Sequence, residues 1–190
     1  QVNPLLLKGG SMQTSQDKPP QPTTHKNSTP VSPLLVIERE FSVPVSQLFQ
    51  AFTTPKALKA WWWPQGLYAD QVDIDFREGG EYFINMKGAA DKGGGGMAGQ
   101  FQEIVENERI VMTDNFADET GRAISAQEAK MPGEWPELVY ITLEFSSTGE
   151  NTSRFKLSQE GIPREMQKDC IQGWNESFDK LENYLVGRKH

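Results

Sequence analysis

Apolar residues fall into regular periods from Leu34 onward, and into none before it. Leu35, Ile37 and Arg39 alternate with Val36, Glu38 and Glu40, which predicts a strand over 34–41. Ser42-Val43-Pro44 then opens a short helix over 44–52, with Val45, Leu48, Phe49 and Phe52 on its apolar face. Thr53-Thr54-Pro55 breaks that helix and starts a second, through Leu58 to Trp61. Period-two segments follow over 68–76, 82–87, 97–105, 108–116, 138–145 and 152–159, separated by Gly-, Asn- and Ser-rich turns. From Pro163 to about Leu185 the period returns to three and four. Met166, Cys170, Gly173, Trp174, Ser177, Phe178, Leu181, Tyr184 and Leu185 form the stripe of one long amphipathic helix. At about 1.5 Å per residue such a helix spans roughly 34 Å, enough to cross a small domain. The predicted order is one strand, two short helices, six strands and a long helix. That order reads as an α+β domain in which an antiparallel meander curls around the last helix.

Two glycine-rich stretches and one polar stretch interrupt the pattern. Gly93 to Gly96 read as the mobile tip of a hairpin. Arg77-Glu78-Gly79-Gly80 lacks the Lys-Ser/Thr and the following helix of a phosphate loop, so it reads as a turn. Residues 117–136 read as a long polar loop that ends in Trp135-Pro136. Residues 1–33, rich in Pro, Ser, Thr and Gln, read as a disordered extension, and 187–190 as a short tail. Gly10-Ser11-Met12 resembles a cloning scar, which makes residues 1–11 vector-derived; the rival reading is a native tail that docks through Leu5-Leu6-Leu7.

The net charge of −7 argues against a nucleic-acid backbone or an anionic membrane as partner. No apolar run approaches the ~18 residues of a membrane span. A single cysteine, Cys170, excludes an internal disulfide and suits a reducing cytoplasm.

Several local motifs carry a resemblance. They are Val43-Pro44 with the helix to Phe52, Lys56-Ala57-Leu58-Lys59-Ala60-Trp61-Trp62, and Asp75-Phe76-Arg77-Glu78-Gly79-Gly80. Gly99-Gln100-Phe101, Glu108-Arg109-Ile110-Val111 and Gly173-Trp174 complete the set. In this order they resemble the START-like (SRPBCC, birch-pollen-allergen-like) superfamily over about 34–186. The chain looks most like the branch homologous to the C-terminal domain of activators of the heat-shock-protein ATPase. The resemblance implies the helix-grip fold, with a cavity between sheet and helix that commonly holds a hydrophobic or amphipathic small molecule. It also brings a protein partner, such as a chaperone, into consideration, because such a fold hosts binding proteins, enzymes and regulators alike.

Candidate side chains follow from that expectation. Trp61-Trp62-Trp63 cannot all face one way, so at least one ring reaches a cavity or rim. Trp62, Trp63, Phe83, Phe101, Met112 and Phe116 are expected to line the cavity from the junction and the strands. Trp135, Tyr140 and Phe155 are expected beyond them, and Cys170, Trp174 and Phe178 on the helix. Tyr140 and Arg154 are the expected polar contacts. His25 and His190 lie outside the 34–186 region, which argues against a histidine-based catalytic triad or metal site, and nothing calls for a cofactor. Asp73, Asp75 and Asp114 are carboxylates that a histidine-independent cyclase or hydrolase would use, but they read as solvated outer-face residues. Cys170 reads as a small buried residue, since no histidine is available to activate it.

Overall fold

Strand alternation and two proline-started helices build the frame seen in the computed structural model, which describes residues 34–88 and 94–187. The extension before residue 34, the tip at 89–93 and the last three residues lie outside the described residues. β1 (Leu35–Phe41) leads to α1 (Val45–Gln50) and α2 (Pro55–Trp61). Then come β2 (Leu67–Ile74), β3 (Glu81–Gly88), β4 (Gly94–Val105), β5 (Arg109–Ala117), β6 (Val139–Gly149) and β7 (Thr152–Gln159). α3 (Arg164–Gly187) completes the order, one residue past Pro163.

All seven strands form one antiparallel sheet in the order β1-β7-β6-β5-β4-β3-β2. The last strand pairs with the first, so the meander turns back on itself and its concave face wraps α3. The helix-grip α+β fold is therefore present. α2 starts where its sequence says: Pro55 is at the first turn, and the Thr54 hydroxyl accepts the Ala57 amide at 3.2 Å.

The core is a cluster of rings under the centre of the sheet. Phe52 stacks on Phe155 at 5.4 Å and meets Trp61 edge-on at 4.7 Å, and Phe155 meets Phe178 at 5.0 Å. The C-terminal half of α3 closes this core with Phe178, Leu181 and Leu185 fully buried. The N-terminal half of the same stripe does not close. Met166, Cys170 and Trp174 are only half-buried.

Two expectations require correction. Gly94 to Gly96 are not a hairpin tip but the start of β4, paired with Lys87, Met86 and Asn85 of β3. A Cβ at Gly96 would stand 2.7 Å from the Ala117 carbonyl oxygen, so absence of a side chain lets the strands approach here. The polar stretch after β5 is also no open loop. Ala123 bridges back to Ala117, and Asp118 Oδ1 gathers the Thr120 and Arg122 amides at 3.0 and 3.1 Å. Ser125 and Glu128 then bond reciprocally: the Glu128 carboxylate accepts the Ser125 amide at 2.8 Å, and Ser125 Oγ accepts the Glu128 amide at 3.1 Å.

Candidate functional site: a cavity beside the helix

The unclosed half of α3 faces a cavity of about 830 Å³ that opens to solvent. Its helical wall is Met166, Cys170, Gly173 and Trp174, and its sheet wall is Met97, Asp114 and Phe116. The connection from β5 to β6 supplies the third wall with Ile124, Ala126, Ala129, Met131 and Trp135. That connection keeps polar side chains bonded among themselves and turns small apolar ones inward.

The three adjacent indoles divide as their backbone requires. Trp61 is core, its Nε1 donating to the Ala51 carbonyl at 2.9 Å. Trp62 stands between core and cavity, meeting Trp174 edge-on at 5.1 Å. Trp63 is half-buried at the rim, with Lys180 Nζ 5.2 Å from its ring centre. Lys180 donates to the Trp63 and Pro64 carbonyls at 3.0 and 2.9 Å, while Glu176 accepts the Gln65 amide at 2.8 Å. The turn after α2 is thereby fastened to α3. Partial burial lowers the Lys180 pKa below the ordinary lysine value, against a smaller opposing pull from Glu176.

Three of the four indole N–H groups around the cavity are already satisfied. Trp62 donates to Met97 Sδ at 3.3 Å, Trp135 to the Pro132 carbonyl at 2.8 Å, and Trp174 to Gln159 Oε1 at 2.9 Å. What the rings present inward is therefore apolar surface. Trp135 is further set by an edge contact with Phe116 at 5.0 Å.

Asp114 is the exception in an apolar wall. The reading of Asp114 as an outer-face residue is corrected: it points inward in the series Ile110, Met112, Asp114, Phe116. Burial among these neighbours pushes its carboxyl up to about 7, against smaller opposing help from the Tyr82 hydroxyl and the Asn115 amide. Tyr82, wholly buried beside it, is pushed well above the ordinary phenol value, mainly by desolvation and then by Asp114. On the opposite wall, desolvation raises the Cys170 thiol to about 11, with Asp169 and Asp114 adding to the effect. A thiol so raised is a weak nucleophile.

The structure separates the residues expected at the site into three groups. Trp62, Trp63, Phe116, Trp135, Cys170 and Trp174 come together around the cavity. Phe101, Met112, Phe155 and Phe178 lie deeper, within the packed core. Phe83, Tyr140 and Arg154 stand on the convex face, because alternation in β3, β6 and β7 turns Ile84, Ile141 and Phe155 inward instead. Phe83 is covered there by Gly121, and Arg154 pairs with Glu40 at 3.0 Å. Asp73 and Asp75 are exposed. Among the described residues, no group of three or more His, Cys, Asp or Glu side chains is placed to hold a metal ion, and no helix is long and apolar enough to cross a membrane.

Comparison with known proteins now bears on this geometry. The family model described as "Activator of Hsp90 ATPase homolog 1-like protein" matches residues 42–186. A crystal structure of a protein from Chromobacterium violaceum is 26% identical, with a TM-score of 0.66, covering 80% of this chain and 96% of that one. The AHSA1 protein from Silicibacter pomeroyi is 24% identical with a TM-score of 0.65, over 81% of this chain and 98% of that one. A solution structure from Arthrobacter aurescens gives 21% and 0.67, over 85% and 94%. The last two bear on the fold alone. The curated proteins provide no match.

Proposed function

We infer function from one premise: the chain belongs to the Activator of Hsp90 ATPase homolog 1-like family, within the START-like superfamily. We propose that it binds a small hydrophobic or aromatic molecule in the cavity between the sheet and the N-terminal half of α3. The observation that carries this reading is the incomplete closure of the α3 stripe. Phe178, Leu181 and Leu185 are sealed, whereas Met166, Cys170 and Trp174 on the same face border about 830 Å³ of open space. That volume lies within the roughly 300–1,000 Å³ typical of small-molecule sites, and the wall has the usual mixture of apolar surface and few polar groups. The free thiol of Cys170 suits a cytoplasmic setting.

Titration with the neutral probe N-phenyl-1-naphthylamine tests the reading. Trp135→Ala and Trp174→Ala each weaken its binding about tenfold or more, and Trp135→Ala stays folded. Unchanged affinity in both variants refutes the cavity as the site.

A second reading, contact with a chaperone or another protein, draws on the family description and on the exposed apolar side chains Val36 and Tyr140 of the convex face. Stimulation of a chaperone ATPase that is lost in Val36→Ser/Tyr140→Ser supports it; no stimulation by the purified chain counts against it.

A further inference from the structure

We propose that this cavity selects an organic cation, an aryl or alkyl amine, over neutral and anionic molecules with the same apolar body. The inference rests on the cavity being the binding site and adds the charge class of its occupant.

The cavity wall carries the half-buried Asp114 and the exposed Glu137 and Asp169, and no Lys, Arg or His among its described lining residues. None of these carboxylates takes part in an ion pair among the described residues. Several donors that would welcome an anion are also engaged. The Trp62, Trp135 and Trp174 N–H groups have protein acceptors, and the Ser177 hydroxyl donates to the Gly173 carbonyl at 3.0 Å. An entering anion therefore loses its hydration, meets carboxylates and finds few free donors. A neutral guest desolvates Asp114 further without compensating it. An ammonium group supplies the missing partner, and the aromatic faces of the same wall favour a cation as well. The Cys170 thiol is raised mainly by desolvation, and the smaller contributions of Asp169 and Asp114 carry the sign of a negative potential at this wall. Tyr82 and Cys170 are titratable groups beside Asp114, and neither brings positive charge, while Lys180 at the rim is held over Trp63 by the Trp63 and Pro64 carbonyls.

Isothermal titration of the full chain at about pH 8, where Asp114 is mostly ionised, with 1-naphthylmethylamine, 1-naphthylmethanol and 1-naphthoate decides the matter. The amine is expected to bind about tenfold or more tightly than the alcohol, and the carboxylate most weakly. The triple variant Asp114→Asn/Glu137→Gln/Asp169→Asn should abolish that preference, and Asp73→Asn on the convex face should leave it in place. An alcohol or carboxylate that binds as tightly as the amine overturns the charge selection while the cavity reading stands. Binding of none of the three overturns both. An amine preference that survives the triple variant, or falls equally in Asp73→Asn, also overturns the selection by these carboxylates.

Discussion

The Tyr82 hydroxyl lies 3.1 Å from Asp114 Oδ1 and 2.8 Å from the Thr113 carbonyl oxygen. One hydroxyl proton serves one of these acceptors at a time. An ionised Asp114 competes for it, whereas a protonated Asp114 can donate to the phenol oxygen and leave the Thr113 bond in place. Burial, against the smaller pull of the Tyr82 hydroxyl, thus brings the carboxyl up to about 7 in an otherwise apolar wall.

Stability should record that arrangement. The Asp114 carboxyl is raised from 3.8 to about 7 on folding, so between those values the folded chain holds a proton that the unfolded chain releases. Its contribution is complete below about pH 4 and lost as pH rises through about 7. Urea unfolding should show the wild type losing stability relative to Asp114→Asn between about pH 4 and pH 7. Because Asp114 is only half-buried beside an open cavity, solvent screening reduces the effect to on the order of 1–3 kcal/mol. Parallel pH profiles for the two proteins would contradict the assignment.

Gly99 makes room for the Tyr82 ring. A Cβ there would stand 1.9 Å from the Thr113 carbonyl oxygen and 2.9 Å from Tyr82 Cε1, whereas one at Gly95 meets nothing within 4 Å. Gly99→Ala should destabilise by more than about 2 kcal/mol, and Gly95→Ala by less than about 1. Thermal unfolding of the two variants side by side checks the contrast.

Lys180 is expected to act as a tie more than as a surface charge. Lys180→Met keeps the aliphatic stem but leaves the Trp63 and Pro64 carbonyls without their donor. The cost should be roughly 1–2 kcal/mol, with greater access of acrylamide to the indoles beside that turn. Lys180→Arg restores part of the loss, and a Met variant as stable as wild type removes the tie from the account.

Cys170 should be slow. With its thiol raised to about 11, the thiolate is on the order of a hundredfold scarcer at about pH 8 than for an ordinary cysteine. Reaction with a disulfide reagent should accelerate sharply in urea and slow further when the cavity is filled. Rapid modification of the folded protein would contradict both the burial and the pKa.

The amphipathic stripe of α3, the two proline-started helices and the succession of strands along the chain are readable from periodicity. The division of that stripe was not. Met166, Cys170 and Trp174 recur with the same spacing as Phe178, Leu181 and Leu185, and nothing local says which half meets a wall and which a void. The difference comes from sheet curvature and from the connection after β5, whose small residues Ala126 and Ala129 turn inward only because Ser125, Glu128 and Asp118 absorb its polar bonds. Strand faces were the second difficulty. Phe83 attracts attention as a large ring but lies outward under Gly121, whereas Asp114 continues an inward series that includes Met112 and Phe116. Alternation places Asp114 inward, whereas a carboxylate ordinarily signals solvent, and at this position the two cues conflict.

The central claim is that a small molecule occupies the space between α3 and the sheet. Its most direct test is a nitrogen-15 NMR titration with N-phenyl-1-naphthylamine. The chain's five indole N–H groups report separate environments: Trp62, Trp135 and Trp174 border the cavity, and Trp61 lies sealed in the core. Saturable shifts at Trp62, Trp135 and Trp174, with little change at Trp61, are the predicted result. Shifts confined to convex-face amides such as Phe83 and Gln100, with the three cavity indoles unmoved, would contradict it.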